Sequence, residues 1–156
     1  MDLIPSFQVD HTFLKPGIYV SRVDEVGCEK VTTYDIRMIH PNAEPSIATP
    51  ALHTIEHLAA TFLRNHPVWK DRIIYWGPMG CHTGNYLILK GFYDPHEVRE
   101  LMMETFEYVA GYEGEVPGTT PDTCGNCRLH DLPMARWEAS RYLDRLRTDF
   151  VCEYPV

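Results

Sequence analysis

Two histidines one helical turn apart, with a glutamate between them, constrain this chain more than any other feature. In His53-Thr54-Ile55-Glu56-His57, residues four apart share one face of a helix, so both imidazoles can grip one metal ion. Glu56 lies three residues after His53, on the same side. A carboxylate beside a metal-bound water can act as general base or general acid. The segment therefore has to be helical, and a distant part of the chain has to supply a further ligand.

The surrounding residues support that helix. It should start near Thr49, with Pro50 in its first turn. Leu52, Ile55, Ala59, Phe62 and Leu63 form an apolar stripe at helical spacing. The metal triplet sits beside this stripe, which puts an ion at the edge of the core.

Upstream, Gly17 to Val23 reads as a strand. Val31 to Ile39 alternates, with Tyr34, Ile36 and Met38 on one face and Thr33, Asp35 and Arg37 on the other. The two form a hairpin across Asp24 to Glu29, and Arg37 projects from the polar face of a half-buried strand. Arg72 to Trp76 and Asn85 to Lys90 read as two more strands around a glycine-rich loop, Gly77 to Gly84. Asp94-Pro95-His96-Glu97 has the form of a capping box. Val98, Leu101, Met102, Phe106 and Val109 make the buried side of the helix it opens. A third helix spans about Pro133 to Arg147, with Ala135, Ala139, Tyr142, Leu143 and Leu146 facing inward. The expected fold class is α+β, an antiparallel sheet with helices packed on one face. The H-x-x-E-H order is the inverted zincin arrangement, so the expected fold is metallohydrolase-like.

A chain of 156 residues fits one domain, 1–156. Its formal charge of -8 argues against nucleic acid and against anionic membrane surfaces as partners. No apolar run reaches membrane-spanning length. The N-terminus lacks the basic and apolar regions of a signal peptide. An odd count of five cysteines without such a signal fits free thiols in a reducing cytoplasm.

Two cysteines are candidates for chemistry. Cys124, in Cys124-Gly125-Asn126-Cys127, is the candidate third ligand. A redox pair would need a strand before it and a helix opening at the first cysteine, and a four-thiolate zinc site would need a second CxxC. With His53 and His57, Cys124 gives two imidazoles and a thiolate, leaving a fourth position for water or substrate. Cys127 is then a spare thiol. Cys81, flanked by glycines, lies where backbone amides could lower its pKa and make it a base or nucleophile. It reads equally well as a small hydrophobe in a tight turn. Ser6 and His11 precede the first strand and could serve a site only if that arm folds over a pocket. His40, His66, His82, His96 and His130 have no partner spacing; His130 lies close to Cys124 in sequence and could be mistaken for a ligand, but the pair at 53 and 57 is better organised.

Taken together, these pieces resemble the S-ribosylhomocysteine lyase family, which makes the precursor of autoinducer-2, a quorum-sensing signal, within the activated methyl cycle. The resemblance runs from about Ile4 to Leu146. It rests on Ser6-Phe-Gln-Val-Asp-His11, Tyr34-Asp-Ile-Arg37, Pro41-Asn42, His53-Thr-Ile-Glu-His57-Leu, Pro78-Met-Gly-Cys81-His-Thr-Gly84, and Cys124-Gly-Asn126 with His130-Asp-Leu132. It implies a metal held by His53, His57 and Cys124, with Fe2+ native and Zn2+ or Co2+ able to replace it. It implies Glu56 and Cys81 as acid/base groups and Ser6, His11 and Arg37 as substrate contacts. It also implies a cytoplasmic bacterial homodimer with its sites at the subunit interface. The expected reaction is carbonyl migration along S-ribosyl-L-homocysteine, then β-elimination of homocysteine. Tyr75, Asn85 and Cys127 depart from the family pattern, and Tyr75 bears on the support of Cys81. Two other readings share part of this pattern: a small inverted-zincin metallopeptidase, in which Glu56 activates water, and a non-catalytic metal-binding module.

Overall fold

The computed structural model describes residues 2–155; Met1, the first residue of the N-terminal stretch read above, and Val156 lie outside them. The elements run β1 (Gly17–Val26), β2 (Glu29–Arg37), α1 (Thr49–Asn65), β3 (Ile73–Pro78), β4 (Gly84–Lys90), α2 (Pro95–Ala110) and α3 (Leu132–Thr148). The strands form one antiparallel sheet in the order β1-β2-β4-β3. Among the described residues, no helix is long and apolar enough to cross a membrane.

The strands differ from the sequence reading at their ends. The β1–β2 hairpin pairs as far as Val26 and Glu29, so its turn shrinks to Gly27-Cys28. Both faces of the ribbon are in water there, and the residues give no apolar alternation to read. At its other end β2 stops at Arg37 instead of Ile39. The amides of Met38 and Ile39 both turn to the Thr83 carbonyl, at 2.9 and 3.3 Å. Close approach also fixes the start of β4. A side chain on Gly84 would put its Cβ 2.1 Å from the Ile36 carbonyl oxygen.

All three helices pack on one face of the sheet. Ile18, Tyr34, Ile36, Leu87 and Leu89 project from that face into the core. They meet Leu52, Ile55, Leu58 and Leu63 of α1, Leu101, Met102 and Phe106 of α2, and Ala139, Tyr142 and Leu146 of α3. Each large side chain withdrawn from water there contributes roughly 1.5–3 kcal/mol. Leu58 takes a central place in α1, while Phe62 sits at the margin, its ring centroid 5.1 Å from that of Tyr108. Helix α2 carries the full capping box. The Asp94 side chain accepts from the His96 amide, and the Glu97 carboxylate accepts from the Asp94 amide.

The opposite face of the sheet carries Tyr19, Asp35, Arg37 and Tyr86. Arg37 is only 4% exposed and Asp35 2%, not half-buried as alternation suggests. The N-terminal arm and the C-terminal tail cover that end of the sheet. Ser6, Val9, His11 and Tyr154 line a small cavity together with Asp35 and Arg37.

Candidate metal centre

Helix α1 places His53 and His57 side by side, with ring centroids 4.6 Å apart. Each ring is oriented by a main-chain carbonyl. The His53 Nδ1–H donates to the Leu129 oxygen at 2.7 Å, and the His57 Nδ1–H donates to the Pro117 oxygen at 2.8 Å. A carbonyl can only accept, so the proton of each neutral ring is on Nδ1. Both Nε2 lone pairs are therefore free to bind, and both face the Cys124 sulfur, at 3.6 and 3.8 Å.

The loop between α2 and α3 supplies the carbonyls and the sulfur together. Gly118 lets this loop run close over α1, with a positive φ of 69° and His57 Nδ1 only 3.4 Å from where a Cβ would stand. Cys124 is held where its own amide donates to the Thr120 carbonyl at 2.9 Å, and its sulfur accepts from the Asn126 amide at 3.4 Å.

A third imidazole joins them. The His130 ring stacks on His53 at 4.0 Å, and its Nε2 lies 4.0 Å from the Cys124 sulfur. Its Nδ1 lies 3.1 Å from the Thr54 hydroxyl. That hydroxyl gives its one proton to the Pro50 carbonyl, so His130 must be the donor to it. Burial, and then the neighbouring His53 and His57, push the His130 ring down to about 4. The four donor atoms of His53, His57, Cys124 and His130 lie within 4.8 Å of one another. Three nitrogen lone pairs and a sulfur converging on one point repel one another unless a cation lies between them. The set fits a divalent transition metal.

His130 has no spacing signal in the sequence. What could have pointed to it is its place six residues after Cys124, in the loop that has to close over α1.

Glu56 stands beside the cluster. It lines a cavity of about 310 Å3 together with His53, Met79, Gly80, His82 and Asn126. The Gly80-Cys81-His82 turn is strained where it meets this cavity, since His82 has a positive φ of 58°. Cys81 itself is exposed. Its sulfur lies 3.0 Å from the Thr83 hydroxyl and 3.8 Å from Arg37 Nη1.

Arg37 is gripped from behind by Asp35 and points its Nη1 at Thr83 Oγ1, 2.6 Å away. Burial works against its charge, but the carboxylate of Asp35 outweighs that and keeps the guanidinium charged. Ser6 and His11 line the small cavity beside Arg37, and the His11 Nδ1–H donates to the Val9 carbonyl at 2.8 Å. The candidate residues thus form two groups. His53, Glu56, His57, Cys124 and His130 gather around α1. Ser6, His11, Arg37 and Cys81 gather at the end of the sheet's other face.

Comparison with known proteins adds to this geometry. The profile of the family described as S-Ribosylhomocysteinase (LuxS) matches residues 4–150. A protein of Phocaeicola vulgatus named S-ribosylhomocysteine lyase is 64% identical over 143 residues, covering 92% of this chain and 89% of its own. One of the same name from Porphyromonas gingivalis is 62% identical, covering 92% and 90%. Another from Desulfotalea psychrophila is 52% identical over 142 residues, covering 91% and 89%.

Proposed function

This chain belongs to the S-ribosylhomocysteinase (LuxS) family, and we propose that the residues gathered above carry out its reaction. That reaction cleaves S-ribosyl-L-homocysteine to L-homocysteine and 4,5-dihydroxy-2,3-pentanedione. The observation that carries the proposal is the convergence of imidazole nitrogens on the Cys124 sulfur, beside a cavity lined by a carboxylate.

His53, His57 and Cys124 would hold the metal, with Fe2+ the native ion and Zn2+ or Co2+ able to replace it. Bound there, the ion supplies Lewis acidity toward the sugar's oxygens. His130 is the neighbour that shields the ion, not a required donor. Its nitrogen is the most distant from the sulfur, and a catalytic site keeps a position open.

The substrate is a ribose that carries homocysteine as a thioether on its fifth carbon. In the open chain, the carbonyl must move from the first carbon to the third through two proton shifts. Cys81, as thiolate, takes each proton from carbon and returns it one carbon along. Arg37 favours that charge by facing the sulfur. Glu56 moves protons among the oxygens. It then removes the proton on the fourth carbon, which the ketone at the third has made acidic. The electron pair left behind forms a double bond between the fourth and fifth carbons as the C5–S bond breaks; the homocysteine thiolate takes up the proton that Glu56 has gained, and the enol tautomerises to the dione. Ser6, His11 and Arg37 bind the substrate's polar ends.

We place this chemistry in one metallohydrolase-like, inverted zincin-like domain spanning 1–156. The protein works as a cytoplasmic homodimer with its sites at the subunit interface. The open sheet face supports pairing, because it carries apolar side chains of a kind that contact surfaces use. Tyr75 on β3 is 46% exposed, and its neighbour Ile88 on β4 is half-buried on the same face.

The test is anaerobic. Protein loaded with Fe2+ is mixed with S-ribosylhomocysteine and free thiol is titrated. One thiol should appear for each substrate consumed. No thiol above that of the chelator-treated protein overturns the assignment.

A further inference from the structure

The C-terminal tail lies beyond the residues the family profile matches, which end at 150, yet it reaches the candidate site. It leaves α3 and runs beside the start of β1. There the Ile18 amide donates to the Val151 carbonyl at 3.0 Å. The approach is so close that a Cβ on Gly17 would stand 2.1 Å from that oxygen. The tail ends on the face that carries Arg37. The Tyr154 ring stacks on Tyr19, with centroids 4.6 Å apart and planes within 10°. Its hydroxyl donates to Asp35 Oδ2 at 3.0 Å.

From Asp35 the contacts continue without a gap. Its Oδ2 also accepts from Arg37 Nη2 at 2.6 Å, and its Oδ1 accepts from Arg37 Nε at 3.0 Å. That two-point grip leaves Nη1 as the free corner of the guanidinium, and Nη1 meets Thr83 and Cys81. We infer that Tyr154 is a positioning residue for this reaction, pinning Asp35 so that Asp35 holds Arg37 against Thr83 and Cys81. The inference rests on the reading of Cys81 as the proton-shuttling thiolate.

Asp35 and Arg37 are almost fully buried, so each bond to the carboxylate counts for more than it would in water. Burial, and then the Asp35 charge, push the Tyr154 phenol well above its usual range, so it stays protonated and can only donate to the carboxylate. The stack on Tyr19 holds the ring and aims the hydroxyl, which reduces the entropy lost when the bond forms.

The test uses the full-length protein with Tyr154→Phe, which removes the hydroxyl and keeps the stacked ring. Two quantities are read: kcat/KM for thiol release by the Fe2+-loaded protein, and the rate at which iodoacetamide alkylates Cys81 in the absence of substrate, followed on the Cys81 peptide by mass spectrometry. Y154F should lower kcat/KM about fivefold and slow Cys81 alkylation about threefold, with metal content unchanged. Y154A, which also removes the stack, should lower kcat/KM about twentyfold. Wild-type values for Y154F in both assays overturn the inference. So does a fall in kcat/KM with unaltered alkylation, which would make Tyr154 a substrate contact. Alkylation needs no turnover, so failure of the lyase reading would appear separately, as a wild-type protein that releases no thiol.

Discussion

At the scale of single residues, metal binding depends on which nitrogen of each ring carries the proton. The carbonyls of Leu129 and Pro117 decide this for His53 and His57, and the Thr54 hydroxyl decides it for His130. Replacing His57 or Cys124 with alanine should drop bound metal from about one per chain to below about a tenth. H130A should weaken binding by about tenfold and keep metal near stoichiometric at saturating Fe2+. Metal analysis after gel filtration checks both; loss of metal in H130A would make His130 an essential donor. The His53–His57 pair was legible because four residues make one helical turn, a purely local fact. Cys124 was legible as the candidate third ligand, because its loop suits neither a redox pair nor a four-thiolate site, and the family resemblance implied the same role. His130 was legible only through its closeness to Cys124 in sequence; nothing local shows that its loop folds onto Thr54.

A second residue prediction concerns Glu44, which accepts from Arg141, Arg145 and the His40 amide. Burial raises its carboxyl pKa, but the hydrogen bond to Arg145 and the other two partners pull harder, and the net shift is downward. A carboxyl lowered on folding stabilises the protein above the ordinary carboxylate range, and that stabilisation fades as pH falls through it. E44Q should therefore cost about 1–2 kcal/mol at pH 7 in urea unfolding. The gap to wild type should close below about pH 4. A gap independent of pH would contradict the ionic origin.

At the scale of elements, the helices were the most legible part. The 3.6-residue spacing of apolar residues in α2 and α3 named every apolar side chain those helices bury, but passed over the buried Thr105 and Glu138. The capping box at Asp94 announced the start of α2. D94A should lower the urea midpoint of unfolding, with metal binding intact. A midpoint within error of wild type would mean that the cap bonds contribute nothing. Strand ends were less legible, for reasons that lie outside each strand. The tip of the β1–β2 hairpin is wet on both faces, so it shows no alternation. Arg37 reads as half-buried because the partners that cover it, His11 and Tyr154, belong to segments far away in sequence.

At the scale of the whole molecule, the helices cover one face of the sheet and leave the other open. The open face carries Arg37 at one end, and the exposed Tyr75 stands on its edge strand beside Ile88. Light scattering should report twice the chain mass of 18.0 kDa. Charging the open face with Tyr75→Lys should weaken association by about tenfold or more. A monomer at all concentrations would remove the shared-site reading.

We propose that a metal-held sugar is rearranged by a thiolate that is not itself a metal ligand, and C81A removes that thiolate. Loaded with one Fe2+ per chain, C81A should release thiol from S-ribosylhomocysteine at least about a hundredfold more slowly than wild type. Thiol release by that variant at the wild-type rate would contradict the account.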